Sequence, residues 1–306
     1  MDIIKRRYLY FAISLLVIIP GLIALALWGL PLAIDFTGGS VLEVQFETGK
    51  APQPAAVIAL YDQLGVRDSQ VQSSQNDVLV IRSKEIDEAT KNKIVSQMTT
   101  QFSSKVTINS FDTVGPEIGS ETTTGAAWAV VAASAFILLY IWYAFRNIPN
   151  AHRYGVAAII ATIHDILVVM GTYALLGHFL GWEVDSLFLT ALLTVIAFSV
   201  HDDVVVFDRI RENANTYRRV KYDQVVNFSI VQTMDRSINT QFTVMLTLLS
   251  LAMFGGLTIR HFIITLLIGV FSGTYSSVFN AAPILVVWQN QEWKTWFRRT
   301  EPKPAE

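Results

Sequence analysis

Long apolar runs alternate with shorter polar segments along this chain. Six of the runs are about twenty residues long and carry few charges, which is the length that an α-helix needs to cross the hydrocarbon core of a bilayer. The last run exceeds that length, so we expect it to tilt or to emerge from the bilayer near Gln289. The pattern therefore predicts a polytopic α-helical membrane protein with six transmembrane helices, at residues 8–30, 125–145, 155–176, 186–207, 240–257 and 262–288.

A polar segment, residues 31–124, separates the first two predicted helices. Strict alternation of apolar and polar residues predicts half-buried strands, and apolar residues at helical spacing predict amphipathic helices. Gln75 and Asn76 are expected to form a hairpin turn between the second and third strands. The order strand, helix, strand, strand, helix, strand predicts a small α+β domain of ferredoxin-like topology. Its strands are predicted at 41–47, 68–74, 77–83 and 105–111, and its helices at 54–64 and 86–102.

Basic residues are unevenly distributed among the predicted loops. They precede the first span, fill the loops after the second and fourth spans, and follow the sixth, whereas the alternate short loops hold a single arginine. Because Lys and Arg are enriched in cytoplasmic loops, both termini are predicted to be cytoplasmic and the ferredoxin-like domain extracytoplasmic. The predicted order is an N-terminus with the first helix (1–30), the external domain (31–124), a five-helix bundle (125–288) with a cytoplasmic loop at 208–239, and a cytoplasmic tail (289–306).

Composition narrows the class of protein. Hydrophobic residues make up 52% of the chain and charged residues 16%, which is too apolar for an ordinary soluble domain. A cleaved signal peptide is the alternative for the first span, but its apolar run exceeds the usual length of roughly 7–15 residues and no clear cleavage site follows. The chain has no cysteine, so disulfides and thiolate metal sites are impossible. We predict no enzymatic activity, no cofactor, no metal site and no nucleic-acid partner.

Three ionisable residues, His201, Asp202 and Asp203, interrupt the apolar fourth span. An ionised carboxylate at the centre of a bilayer costs roughly 2.5–3.5 kcal/mol on insertion scales, so such residues usually handle ions or protons between helices. Two carboxylates this close also resist simultaneous ionisation. The alternative for Asp203 is a simple pairing with a neighbouring basic group. We interpret Asp202 as the principal proton-binding candidate.

Two further polar positions are candidates for the same pathway. His164 and Asp165 lie in the third span, where they either relay protons to the fourth-span acids or form a polar pair that holds two helices together. Arg236 enters the fifth span and is either an anchor at the cytoplasmic surface or an arginine that reaches into the bundle beside an acid. These alternatives remain open on sequence alone.

Small residues mark two other features. Gly38 and Gly39 follow Asp35 in D-F-T-G-G-S, and glycine permits positive φ angles and close approach of another backbone. This favours a hinge between the first helix and the external domain, and Gly115 with Pro116 in V-G-P-E-I-G favours a second hinge at the return to the membrane. The alternative is that both motifs are ordinary loops. In the sixth span, a stripe of small residues predicts close helix packing, at Gly269, Gly273 and Ser277.

Six motifs, in this order along nearly the whole chain, resemble the SecF family of protein-export membrane proteins: D-F-T-G-G-S, V-G-P-E-I-G, the third-span H-D, V-V-V-F-D-R-I-R-E-N, R-S-I-N-T and F-S-G-T-Y-S-S. That family belongs with SecD to the resistance-nodulation-division superfamily of proton-coupled membrane proteins. The resemblance implies a bacterial cytoplasmic (inner) membrane protein that pairs with a SecD subunit and YajC, associates with the SecYEG channel, and uses the proton gradient to promote preprotein translocation.

By this resemblance, Asp202 occupies the position of the aspartate in the family's Asn-Asp-Thr, which is implicated in proton conduction. Arg236 occupies that of an arginine thought to partner the intramembrane acids. Here the trio is His201-Asp202-Asp203, so an imidazole and a second acid replace two neutral groups, which either retunes the proton site or reroutes the pathway. The alternative functions are a passive scaffold for translocase assembly and one half of a proton-coupled exporter of the same superfamily.

Overall fold

The computed structural model describes residues 2–47, 51–73, 77–146, 151–256 and 259–296. The chain divides into two compact units: residues 32–129 form one, and residues 1–31 with 130–306 form the other. Six helices in the described part are long and apolar enough to cross a membrane, which confirms the predicted number of spans. They are Ile4–Trp28, Pro116–Phe145, His152–Leu180, Ser186–Thr216, Tyr222–Phe254 and Arg260–Gln289.

In chain order, the helices and strands are α1 (Arg7–Trp28), α2 (Ile34–Thr37), β1 (Gly39–Phe46), α3 (Pro54–Gln63), β2 (Gln70–Ser73), β3 (Val78–Ser83), α4 (Glu88–Gln101), β4 (Val106–Val114), α5 (Pro116–Phe145), α6 (Ala151–Leu180), α7 (Ser186–Thr216), α8 (Tyr222–Phe254), α9 (Arg260–Ser276), α10 (Ala282–Gln289) and α11 (Trp293–Trp296). A 3-10 turn precedes α1. A π-helical segment, Ser277–Ala281, joins α9 to α10, so the long sixth span is one helix with a local bulge.

The smaller unit contains a four-stranded antiparallel sheet in the order β2-β3-β1-β4. The alternation predicted for β1 is confirmed, since Leu42, Val44 and Phe46 are buried against α3 and α4. A β-bulge interrupts the pairing of β1 with β4, where Asn109 is the extra residue and donates to the Glu43 carboxylate at 2.9 Å. All four predicted strands and both predicted helices occur, and the turn predicted at residues 75–76 lies outside the described residues.

The predicted loop at 208–239 is wrong in structure, because most of it is helical. α7 continues to Thr216 and α8 begins at Tyr222, so only residues 217–221 connect the two helices. Ion pairs between residues three apart support the end of α7, with Arg209 at 2.6 Å from Glu212 and Arg211 at 2.8 Å from Asp208. Such pairs stabilise a helix in water. Hydropathy marks where a helix leaves the bilayer, and it does not mark where the helix ends.

The membrane unit has three central helices. In α6, α7 and α9, at least half of the most apolar stretch of the helix is buried inside the protein. In α1, α5 and α8, at most 17% of that stretch is buried. One close approach between helices was not apparent from the sequence. Gly21 of α1 faces Gly171 of α6, and a Cβ on Gly171 would lie 2.6 Å from the Cα of Gly21. The two backbones therefore touch where neither residue has a side chain.

Replacing Gly171 by Ala is expected to destabilise the membrane unit by about 1–3 kcal/mol, because the added methyl group must push α1 away from α6. The measurement is the unfolding midpoint of the full chain in mixed micelles. Gly155→Ala is the matched control, since no atom lies within 4 Å of a Cβ at that helical position. Equal effects of the two substitutions would contradict the inferred contact.

Candidate functional site

A buried carboxylate, that of Asp165 in α6, joins the three central helices. Its Oδ1 accepts hydrogen bonds from Ser272 at 2.6 Å and from His164 Nδ1 at 3.0 Å. Its Oδ2 accepts from Ser199 of α7 at 2.5 Å and from Ser276 of α9 at 2.7 Å. Asp165 is fully buried. Four donors on two oxygens stabilise the ionised form of a carboxylate, and here they come from three different helices.

The small residues of α9 allow these serines to reach Asp165. A Cβ on Gly269 would lie 2.0 Å from Cγ2 of Val195, and a Cβ on Gly273 would lie 3.2 Å from Cβ of Ser199. Ser277, the third residue of the predicted packing stripe, has its Oγ 3.4 Å from the Ser199 carbonyl oxygen. The stripe therefore lies directly against α7.

Asp202 lies between the interior and the surface of the bundle. Only 3% of the residue is exposed, and its Oδ2 accepts a hydrogen bond from Nε2 of Gln241 on α8 at 2.6 Å. Its other oxygen lies 3.7 Å from Nδ1 of His201, whose side chain is 62% exposed. Asp202 thus has one neutral partner inside the bundle and one titratable neighbour that reaches the surface.

Asp203 has a different environment from its neighbour. It is fully buried, and neither carboxylate oxygen has a hydrogen-bond partner among the described residues. The structure buries both of these adjacent acids. The reason is that α7 packs against α6, α8 and α9. Pairing of Asp203 with a basic group, the simple alternative, does not occur within the described part of the chain.

Arg236 forms no ion pair with the acids of the fourth span among the described residues. It is exposed and lines a cleft of 560 Å³ that Asp208 and Glu212 also line, and no ion pair between Arg236 and Asp202 occurs among the described residues. The role of Arg236, as a surface anchor or as an arginine that acts on the acids, stays a prediction. At about 100° per residue, Arg236 and Gln241 point about 140° apart on α8, so the helix can present only one of them to Asp202.

The two glycine motifs of the smaller unit meet each other. Gly38 and Gly39 have φ angles of 71° and 115°, which only glycine adopts without strain. A Cβ on Gly38 would lie 2.9 Å from the Cα of Pro116, and a Cβ on Gly119 would lie 2.7 Å from the backbone nitrogen of Gly38. Gly115 has room for a side chain, with the nearest atoms 3.8 Å away. The close approach therefore involves Gly119 rather than Gly115, and Asp35 lies one turn earlier, in α2.

Four polar residues of this site were missed by sequence reasoning: Ser199, Gln241, Ser272 and Ser276. Ser272 and Ser276 are spaced i, i+4 on α9, a pattern that places two hydroxyl groups on one helix face. That spacing, next to the glycine stripe, was the available signal. Among the described residues, no group of three or more His, Cys, Asp or Glu side chains is placed to hold a metal ion.

Most of the chain matches known protein families. Residues 94–291 match the family described as "Protein export membrane protein SecD/SecF, C-terminal". Residues 24–50, which include Gly38 and Gly39, match the "SecD/SecF GG Motif". Two curated relatives are similar over their full length. The Protein translocase subunit SecF of Anaerolinea thermophila is 54% identical and that of Thermobaculum terrenum 46% identical, each over 100% of this chain and 99% of the relative.

Solved structures show the same similarity. The crystal structure of SecDF, a translocon-associated membrane protein from Thermus thermophilus, superimposes with a TM-score of 0.81 and 29% identity, covering 95% of this chain. SecDF in its super-membrane-facing form has a TM-score of 0.68 and 28% identity, covering 96% of this chain. This chain spans only 39% of the length of either SecDF chain. With its glycine motif, six helices and full-length relatives, the chain belongs to the SecF family of protein translocase subunits.

Proposed function

We propose that this subunit uses the proton motive force to promote preprotein translocation, with Asp202 as the residue that binds and releases the proton. The observation that carries this proposal is the position of Asp202, which is buried against Gln241 and reached from the surface by His201. The available driving force is adequate, since moving one charge across a membrane is worth about 2.3 kcal/mol per 100 mV.

Gln241 offers a way to sense the proton on Asp202. Its Nε2 donates to the carboxylate, while its buried Oε1 has no hydrogen-bond partner among the described residues. An ionised carboxylate can only accept hydrogen bonds, whereas a protonated one can also donate. Protonation of Asp202 therefore favours a bond from its hydroxyl to Oε1 after rotation of the amide. The contact between α7 and α8 then has two arrangements, one for each protonation state.

The glycine contacts are proposed to transmit this change to the external domain. α5 runs from Pro116 to Phe145, and its first residue, Pro116, approaches Gly38 closely. The Thr123 hydroxyl also donates to the carbonyl oxygen of Phe36 at 3.0 Å. These contacts support Asp35, Gly38, Gly39, Gly115 and Pro116 as a coupling region, with the tight steric contact made through Gly119.

The family assignment supports the proposed partners and membrane. Because SecDF contains this fold within a longer chain, we propose a SecD-like subunit as the partner that completes the assembly, and YajC and SecYEG as further partners. The strand order β2-β3-β1-β4 supports a ferredoxin-like external domain. The distribution of Lys and Arg supports cytoplasmic termini in the bacterial inner membrane. On α8, exposed polar residues favour contact with a protein helix over lipid, at Asn239, Thr240, Thr243, Thr247 and Ser250.

A scaffolding role is the second candidate, and one observation favours it. The four hydrogen bonds to Asp165 join α6, α7 and α9, which is what polar residues do when they serve only to hold helices together. In that case the polar side chains of the bundle would matter for assembly with the SecD-like subunit and not for proton flux.

Replacing Asp202 by Asn is expected to abolish gradient-stimulated export and proton flux in vesicles that contain the full translocase, because the amide cannot bind and release a proton. We expect the variant to insert normally and to co-purify with its partner, since Asn can still accept the Gln241 hydrogen bond. Asp235→Asn is the matched control. Asp235 is an exposed carboxylate on α8, and its loss should leave both activities intact.

The two candidate functions give opposite results in this experiment. Lost flux with intact co-purification supports the proton-driven role. Undiminished gradient-stimulated export by Asp202→Asn would refute it, and lost co-purification before any change in flux would favour the scaffold.

A further inference from the structure

Besides Asp202, the bundle buries two other acids, Asp165 and Asp203. Asp203 is one turn beyond Ser199 on α7, and at about 100° per residue the two side chains share a helix face. Ser199 donates to Asp165, so Asp203 and Asp165 border the same layer of serines. Ser277 is the serine beside Asp203. Its hydroxyl donates to the Gly273 carbonyl at 2.9 Å, and it makes no well-formed hydrogen bond to either Asp203 oxygen.

The two acids of this pair differ sharply in what surrounds them. Asp165 accepts four hydrogen bonds, whereas Asp203 accepts none from the described residues, and both are completely shielded from solvent. An isolated ionised carboxylate in a low-dielectric interior is so costly that the group takes up a proton instead. Asp165 therefore has the donors that an ionised carboxylate needs, and Asp203 lacks them.

The other ionisable groups near Asp203 reinforce this distribution. Asp165 on α6 and Asp202 on α7 are the nearby carboxyl groups, and His164 contacts Asp165 at 3.0 Å. On α8, Gln241 is neutral, and Arg236 is exposed and forms no ion pair with Asp203. The buried polar residues of α9 and the π-helical segment are serine, threonine and asparagine. No lysine or arginine within the described residues is therefore placed to hold a second negative charge at Asp203, while two neighbouring carboxylates oppose one.

We propose that Asp165 and Asp203 form a second proton site of the bundle, in which the pair holds one proton that resides on Asp203 in the conformation described. This inference deepens the proposed proton-driven function, because it adds a site that is filled while Asp202 is free to load and unload. Transfer breaks the O–H bond of Asp203 and forms an O–H bond on Asp165, with a serine hydroxyl passing the proton, so the total charge of the pair does not change.

The transfer would have a structural consequence. Protonated Asp165 no longer gains charge-assisted hydrogen bonds from the serines of α7 and α9, and ionised Asp203 would require donors that it now lacks. The serines would therefore turn from one acid to the other. Movement of this proton is a means of changing how α9 packs on α7.

The test is infrared difference spectroscopy, in which the spectrum of each variant is subtracted from that of the wild type. The full chain is assembled with its SecD-like partner in bilayers, and the signal sought is the C=O stretch of a protonated carboxyl group that has no hydrogen bonds. We expect this band in the wild-type protein at neutral pH, its loss in Asp203→Asn, and its retention in Asp202→Asn. Persistence of the band in Asp203→Asn, or its absence from the wild type, would overturn the proposal. The band reports on Asp203 alone, so this result is independent of whether Asp202→Asn abolishes proton flux.

A second variant keeps the proposal testable if Asp203→Asn does not fold. A neutral, unpartnered acid can be exchanged for an apolar residue of similar size at little cost, so Asp203→Leu should leave the unfolding midpoint of the assembled protein unchanged or raised. Asp165→Leu, which removes the acceptor of four hydrogen bonds, should lower it. A large loss of stability in Asp203→Leu would show that Asp203 is ionised or hydrogen-bonded, contrary to the proposal.

Discussion

Replacing Asp165 by Ala is expected to destabilise the membrane unit by about 3 kcal/mol or more, the largest effect of any single substitution considered. The carboxylate is the common acceptor of Ser199, Ser272, Ser276 and His164. Each buried donor left without a partner costs about 1–3 kcal/mol, and the serines can recover part of that cost by bonding to their own backbone, as Ser276 already does to Gly273 at 3.1 Å.

The measurement is the equilibrium unfolding of the full chain in mixed micelles, followed by far-ultraviolet circular dichroism. Asp165→Asn is the informative comparison, because the amide oxygen keeps one acceptor and hydroxyl groups can reorient toward the amide nitrogen. We expect a smaller loss for Asn than for Ala. Equal stability of the wild type and Asp165→Ala would mean that the serines do not depend on this carboxylate.

Replacing Gly269 by Ala is expected to cost about 1–3 kcal/mol or more, because overpacking forces helices apart or side chains out of their rotamers. The added Cβ would lie 2.0 Å from Cγ2 of Val195 and 2.7 Å from its Cγ1. Such a contact cannot be accommodated without moving α9 from α7. That movement would also separate the Asp165 carboxylate from at least one of its serine donors.

A second substitution, at Val195, can relieve part of this clash. Val195→Ala removes the two methyl groups that clash most, and leaves only its Cβ, at 2.9 Å. The double variant Gly269→Ala/Val195→Ala should therefore be more stable than the sum of the two single effects predicts, and the difference is the coupling energy. Gly125→Ala in α5 is the control, since no atom lies within 4 Å of a Cβ there. Strict additivity of the two substitutions would contradict the packing described here.

The six spans and the elements of the smaller unit were predictable because each depends on local patterns. A membrane helix satisfies its backbone hydrogen bonds internally, so its length and apolar composition are enough to reveal it. The strands were likewise visible in the alternation that buries Leu42, Val44 and Phe46. Helix ends were not predictable from hydropathy, because α7 stays helical through charged residues such as Arg209 and Glu212.

The sequence also identified ionisable residues that the structure buries, since His164, Asp165, Asp202 and Asp203 stand out in any apolar run. It did not identify their partners. Asp202 binds Gln241 rather than Arg236, and the adjacent Asp203 binds no described residue.

The amino-acid order determines the number of membrane helices and the presence of ionisable groups within them, because transfer from water to lipid depends on each segment's own composition. Which acid is hydrogen-bonded, and which is buried without a donor, was decided only by tertiary structure. The reason is that the partner of a side chain depends on how far each neighbouring helix is rotated and how closely it approaches. In this bundle, both are set by contacts such as Gly269 with Val195 and Gly273 with Ser199.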